Sequence, residues 1–163
     1  MAAIRVSRFS RLLWGITALV VFAADQVTKA LVVRSIPEHT TVRLLPHFFN
    51  LIHTSNAGAA FGLFSDSPAP WKTVLLIVIS GALLALVIAI IWRNQHLRWG
   101  TGMGLALILG GALSNLFDRI RLGRVVDFLD VYYRSYHWPT FNLADSAIVL
   151  GAGMLVVQLL FLE

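Results

Sequence analysis

Apolar positions gather into four long blocks, over residues 12–33, 73–92, 100–117 and 141–162. Each is close to the roughly 20 mostly apolar residues that a helix needs to cross a hydrocarbon core. The second and third blocks carry no charge, the fourth carries Asp145, and the first carries Asp25 and Lys29. The pattern predicts four membrane-spanning helices in a single membrane domain covering residues 1–163. Arg5, Arg8 and Arg11 before residues 12–24 resemble the basic and apolar regions of a cleavable leader, and cleavage after Ala23 is conceivable. The apolar run resumes through residues 30–33, so the first helix is read as retained.

The segments between the blocks alternate in length: 34–71 is long, 93–99 is a short turn, and 118–140 is long again. Both long loops then share one side and both termini the other. Arg5, Arg8, Arg11, Arg93 and Arg98 mark the side of the termini as cytoplasmic. The opposite loops hold Arg34, Arg43, Arg119, Arg121, Arg124 and Arg134, so a raw count does not orient the chain. Arg119, Arg121 and Arg124 stand among Asp118, Asp127 and Asp130 and are read as paired with them, which leaves the first helix to set the topology. Residues 41–54 are rich in β-branched and aromatic side chains around Pro46, predicting two short strands on the membrane surface. Asn56-Ala-Gly-Ala-Ala-Phe-Gly62 reads as a tight turn of small residues.

Composition sharpens the class. Hydrophobic residues make up 58% and charged residues 13% of the chain, and mean hydropathy is +0.77. Soluble domains run at about 45–50% apolar and about 25% charged. Disorder, coiled coil and nucleic-acid binding are excluded on that ground. The net charge of +5 is largely arginine near the membrane boundaries, suited to lipid headgroups. Cysteine is absent, which removes disulfides, zinc–thiolate sites and thiol nucleophiles.

The informative residues are therefore the polar ones at membrane depth, where an ionisable group is expensive and marks function by default. Asp25 and Lys29 are spaced i, i+4 with the acid first, the favourable order for an ion pair. They read as a structural pair or as a substrate-orienting pair near the outer surface. Asn115, Asp118 and Arg119 share one face where the third block closes, and fit either a helix end with a snorkelling arginine or a site. Asn142 and Asp145 open the fourth block at i, i+3, and fit a reciprocal cap at the helix start. Asp127 lies inside the apolar run Val125-Val-Asp-Phe-Leu129, where an acid wants a partner. Asp145 follows 18 residues later. Two carboxylates at a semi-dry site share one proton and can divide acid and base roles; the spacing permits that geometry without establishing it. Ser114 lacks a histidine in any span to activate it, and no HExxH motif for zinc occurs.

Five segments together resemble the lipoprotein signal peptidase family (signal peptidase II) of bacterial inner membranes. They are Asp25-Gln-Val-Thr-Lys29, Asn56-Ala-Gly-Ala-Ala-Phe-Gly62, Gly110-Gly-Ala-Leu-Ser-Asn-Leu-Phe-Asp-Arg119, Val125-Val-Asp-Phe128 and Phe141-Asn-Leu-Ala-Asp-Ser146. They occur in the family's order over nearly the whole chain. The resemblance implies an all-α integral membrane protein of four transmembrane helices with a small extracytoplasmic β-rich cradle. It implies an intramembrane aspartyl endopeptidase that removes the signal peptide from a diacylglyceryl-modified prolipoprotein, cutting before the lipidated cysteine. Asp127 and Asp145 match the catalytic pair. Asn56, Asn115, Arg119 and Asn142 match residues that line the site and hold substrate or dyad, and Asp25 and Lys29 match the motif near the end of the first helix. The expected partners are the prolipoprotein and membrane lipids, with no metal or other cofactor and no nucleic acid, and the protein is expected to act as a monomer. Ser114 stands where the family usually has Gly, which bears on local packing. The competing readings are a proton- or ion-coupled transporter, against which the absence of an internal repeat speaks, and a non-catalytic membrane assembly protein.

Overall fold

The computed structural model describes residues 7–58 and 70–161. The element order is α1 (Arg8–Ser35), β1 (Thr41–Leu45), β2 (Phe49–Asn56), α2 (Pro70–Arg93), α3 (Trp99–Leu122), β3 (Val125–Tyr133), β4 (Tyr136–His137) and α4 (Leu143–Phe161). All four helices are long and apolar enough to cross a membrane. A four-stranded antiparallel sheet in the order β1-β2-β3-β4 accompanies them. "All-α" is thus too narrow a class. The strands total more than a turn or two, because the backbone of both long loops must satisfy its N–H and C=O groups and does so by pairing.

The helices outrun the apolar blocks. α3 continues through Asp118, Arg119 and Arg121 and stops where Gly123 adopts φ +71°, its N–H returning to the Arg119 carbonyl. The polar residues near residue 117 therefore do not end the helix; the left-handed glycine does. β1 falls within the segment rich in β-branched residues, and β2 begins in it and runs two residues beyond, to Asn56. β3 was not legible as a strand. Its first four residues are all buried, so it lacks the alternation of a half-buried strand and reads as an apolar run. The turn expected over residues 56–62 lies outside the described residues beyond Gly58.

Small residues set the helix spacing. A Cβ on Gly111 would collide with the Ala144 carbonyl of α4, and one on Gly110 would come within 2.5 Å of the Ala18 carbonyl of α1. α3 is thus clasped between α1 and α4 at backbone contact, the packing mode that lipid-embedded helices use. Val32 and Ile36 at the end of α1 pack with Phe128 of β3, flanked by Leu51, Leu129 and Leu143. That cluster seats the sheet on one end of the bundle.

The expected pairing of the loop arginines with nearby acids does not occur. Among the described residues, Asp118 pairs with Lys29 at 2.7 Å, Asp130 with His137 at 2.8 Å, and Arg124 with Glu38 at 3.7 Å. Burial decides this: Asp118 and Asp130 are turned inward, whereas an arginine on the rim keeps its head in solvent.

Candidate functional site

Two backbone connections bring Asp127 and Asp145 together. β3 pairs with β2 so that Asp127 faces Thr54 and Val125 faces Asn56. The chain then returns through Phe141, whose carbonyl accepts from the N–H groups of Phe128 and Leu129 and whose N–H donates to the Leu129 carbonyl. This bridge fixes Asn142 and the start of α4 directly beside Asp127.

Asn142 is the hub. Fully buried, it donates from Nδ2 to Asp127 Oδ1 at 2.8 Å and to Asn115 Oδ1 at 3.2 Å. Its Oδ1 accepts from the Asp145 N–H at 2.9 Å, and its own N–H donates to Asp145 Oδ2 at 3.2 Å. The last two bonds are a reciprocal capping box. The structural and functional readings of Asn142 and Asp145 are therefore not alternatives: one asparagine caps α4 with its backbone N–H and amide oxygen and reaches the second carboxyl with its amide nitrogen. Asn115 Nδ2 donates to Asp145 Oδ1 at 2.8 Å, and Asn56 Nδ2 to Asp127 Oδ2 at 3.2 Å. Each carboxyl thus has two N–H donors. Burial, followed by the neighbouring Asp145 charge, pushes the Asp127 carboxyl up to about 7, against the donors from Asn56 and Asn142.

Arg119 lies on the same face of α3, one turn past Asn115. It donates to the carbonyls of Asn115 at 3.3 Å and Gly58 at 3.4 Å. Among the described residues it makes no salt bridge, which leaves a half-buried fork of donors beside the two acids.

Asp25 and Lys29 sit beneath this site rather than at its surface. They form an ion pair at 2.7 Å with side chains 0% and 4% exposed. Lys29 also pairs with Asp118 and donates to Asn115 Oδ1 at 3.0 Å. Asp25 Oδ1 accepts from the Ala144 N–H at 2.9 Å, and Ser114 donates to Asp25 Oδ2 at 2.7 Å. The pair is thus a structural brace tied to the site through Asn115 and Ala144. Because Asn115 Oδ1 faces two donors, its Nδ2 must face Asp145, so the brace orients the amide.

Sequence reasoning missed Gln26 and did not foresee how Asp118 and Ser114 are used. Gln26 donates to Ser114 Oγ and to Asp118 Oδ1, each at 2.8 Å. Asp118 serves as the second counter-ion of Lys29. Ser114, read as a packing substitution, supplies a hydroxyl to Asp25. The available signal was a run of polar residues, Asp25-Gln26, inside an apolar helix. Among the described residues, no group of three or more His, Asp or Glu side chains is placed to hold a metal.

A family profile described as signal peptidase (SPase) II matches residues 17–161. A protein of Solibacter usitatus named lipoprotein signal peptidase is 47% identical over 147 residues, covering 90% of this chain and 89% of that relative. One of the same name from Syntrophotalea carbinolica is 42% identical over 150 residues, covering 90% and 89%. A solved bacterial membrane enzyme superposes with a TM-score of 0.83 at 28% identity, covering 98% of this chain and 93% of that one.

Proposed function

The chain belongs to the signal peptidase II family, and from that premise we propose that it removes signal peptides from prolipoproteins by aspartyl chemistry, with Asp127 and Asp145 as the catalytic pair. The observation that carries the proposal is Asn142, a single buried residue that donates to both carboxyl groups, to Asp127 from its side-chain amide and to Asp145 from its backbone N–H. It is a multi-pass membrane protein, and family membership leaves the transporter and assembly readings without support.

The chemistry follows from the surroundings of the acids. Asp145 lies in the first turn of α4, where the positive end of the helix dipole favours a carboxylate. Asp127 is held by burial as the acid at near-neutral pH. Asp145 takes a proton from water as the oxygen attacks the scissile carbonyl, and Asp127 donates its proton to the carbonyl oxygen. As the tetrahedral intermediate collapses, Asp145 passes its proton to the leaving amine and Asp127 recovers one from the gem-diol. The dyad returns to its starting state.

The remaining residues position these groups. Asn56 and Asn142 hold Asp127, Asn115 and Asn142 hold Asp145, and Arg119 offers its donors to the extended substrate backbone. Asp25 and Lys29 keep Asn115 in register. The substrate is an apolar helix that enters from lipid and unwinds where the sheet meets the bundle. The acyl chains of its diacylglyceryl-cysteine stay in the bilayer and mark the cleavage point. We place the sheet outside the bacterial inner membrane and both termini in the cytoplasm. The direct test is incubation of the purified protein with a lipidated precursor and with the same precursor unmodified. Cleavage before the lipidated cysteine, and only of the lipidated form, is expected; failure to cut the lipidated form refutes the proposal.

A further inference from the structure

Beneath the two carboxyl groups lies a buried charge cluster that the chemistry above leaves without a part. Asp25 of α1 and Asp118 of α3 each contact the Lys29 ammonium at 2.7 Å, and all three side chains are buried. Two acids share one base in a place where an unmatched charge is costly.

The hydrogen bonds decide whether either acid carries a proton. A protonated carboxyl needs an acceptor for its O–H. Asp25 Oδ1 faces the Ala144 N–H, and its Oδ2 faces the Ser114 hydroxyl and Lys29. Ser114 gives its proton to Asp25, so its oxygen accepts from Gln26 at 2.8 Å, which fixes Gln26 Nε2 on that side. The same Nε2 donates to Asp118 Oδ1 at 2.8 Å, and Asp118 Oδ2 contacts Lys29. Every oxygen of the two carboxylates meets a donor, and neither has an acceptor for a proton of its own. Both acids are ionised, and the brace carries one net negative charge.

That charge stands close to the dyad. Lys29 donates to Asn115 Oδ1 at 3.0 Å, and Asn115 Nδ2 donates to Asp145 Oδ1 at 2.8 Å. Burial and then the Asp145 charge push the Asp127 carboxyl up, while the donors from Asn56 and Asn142 and the Lys29 charge pull it down. Asp118 sits against the same ammonium and offsets its pull, since a negative charge near an acid favours the protonated form. The other charges around this layer are Arg119, beside Asp118 on α3 and in the field of Asp145, Asp127 and Asp118, and the two dyad acids themselves, on β3 and α4.

Resting on the aspartyl chemistry above, we propose that Asp118 is a positioning residue that acts through charge: the negative charge it adds to the brace holds the catalytic proton on the dyad and so sets the upper pH limit of cleavage.

The test is the pH profile of single-turnover cleavage of a lipidated precursor by the full-length protein in detergent. Asp118→Asn leaves the brace neutral. Its upper limb should move down by about 0.5–1 pH unit, the size of one charge acting across a few side chains at an effective dielectric of about 20. The double variant Lys29→Met with Asp118→Asn has the original net charge, and the charge it loses nearer the dyad is the ammonium. Its rate falls because Asn115 loses a donor, but its limb should return to the wild-type pH or above. The double variant decides the matter if Asp118→Asn does not fold. A purely structural contact would lower the rate and the melting temperature in both variants without moving the limbs apart. An unmoved or raised limb in Asp118→Asn, or a limb below the wild-type pH in the double variant, would overturn the proposal. Infrared spectra of the wild-type protein with carbon-13-labelled aspartate read the same proton without a variant. The protonated-carboxyl band should vanish along the upper limb; a band that persists above it places a proton on the brace and overturns the proposal. A wild-type protein that cleaves at no pH refutes the aspartyl reading and this role with it, whereas an active wild type with unmoved limbs refutes this role alone.

Discussion

Replacing Asn142 with serine separates its two jobs. Serine is as good a helix cap as asparagine, so Oγ can still accept from the Asp145 N–H, and the backbone N–H bond to Asp145 Oδ2 is untouched. What disappears is the 2.8 Å donation from Nδ2 to Asp127 Oδ1. Asn115 Oδ1 loses one of its two donors but keeps Lys29 at 3.0 Å. A hydrogen bond to an ionisable group contributes about 1.5–3 kcal/mol. If that bond positions Asp127 in the transition state, its loss slows turnover by about 10- to 100-fold, at about 1.4 kcal/mol per tenfold. The cap survives, but the buried donations to Asp127 and Asn115 are lost, so stability should fall by about 1–3 kcal/mol. Asn142→Ala removes both functions and should lower stability by about another 1 kcal/mol through the lost cap. The assay is single-turnover cleavage of a lipidated precursor peptide in detergent, alongside thermal unfolding followed by tryptophan fluorescence. A wild-type rate for a folded Asn142→Ser protein would refute the bridging role and leave Asn142 as a cap alone.

Three further outcomes are expected. The fold raises Asp127 from 3.8 to about 7, so it favours the protonated acid; that contribution to stability is complete below about pH 3.8 and is lost as pH rises through about 7. Cleavage should decline over the same upper range, and Asp127→Asn should flatten the pH dependence of unfolding; a wild-type profile that is level from about pH 6 to 8 contradicts this. Ser114→Ala deletes the 2.7 Å donation to Asp25 and should reduce stability by about 1–3 kcal/mol while turnover is largely kept, so an unchanged melting temperature argues against the brace. In this cysteine-free chain, a thiol reagent that cannot cross the membrane should label Ser135→Cys from outside and Asn94→Cys only after permeabilisation; the reverse pattern inverts the topology.

The membrane makes the helices easy to read, because in lipid an apolar run of about 20 residues has few alternatives. Their ends are harder, since α3 stays helical through Asp118, Arg119 and Arg121 once Lys29 and backbone carbonyls satisfy two of those side chains. β3 escaped notice because its first four residues are buried on both faces of the strand, which erases the period-two signal there. The capping box was legible at i, i+3, yet the meeting of Asp127 with Asp145 was not. It depends on the bridge between Leu129 and Phe141, a pairing that no local spacing encodes. Gln26 and Ser114 were legible only as polar residues in apolar helices, and their partners lie 88 and 89 residues away.

The most direct measurement is the cleavage rate of a lipidated precursor by Asp127→Asn, Asp145→Asn and the double variant, each shown to be folded and to bind precursor. Asparagine is nearly isosteric with aspartate and keeps hydrogen bonding, but it can neither take the proton of water nor return it to the leaving amine. Both single variants should lose cleavage altogether, and the double variant should be no worse than either, because groups that act as one unit are not additive. Substantial residual turnover by either folded single variant would contradict the dyad and leave Asp145 a helix cap.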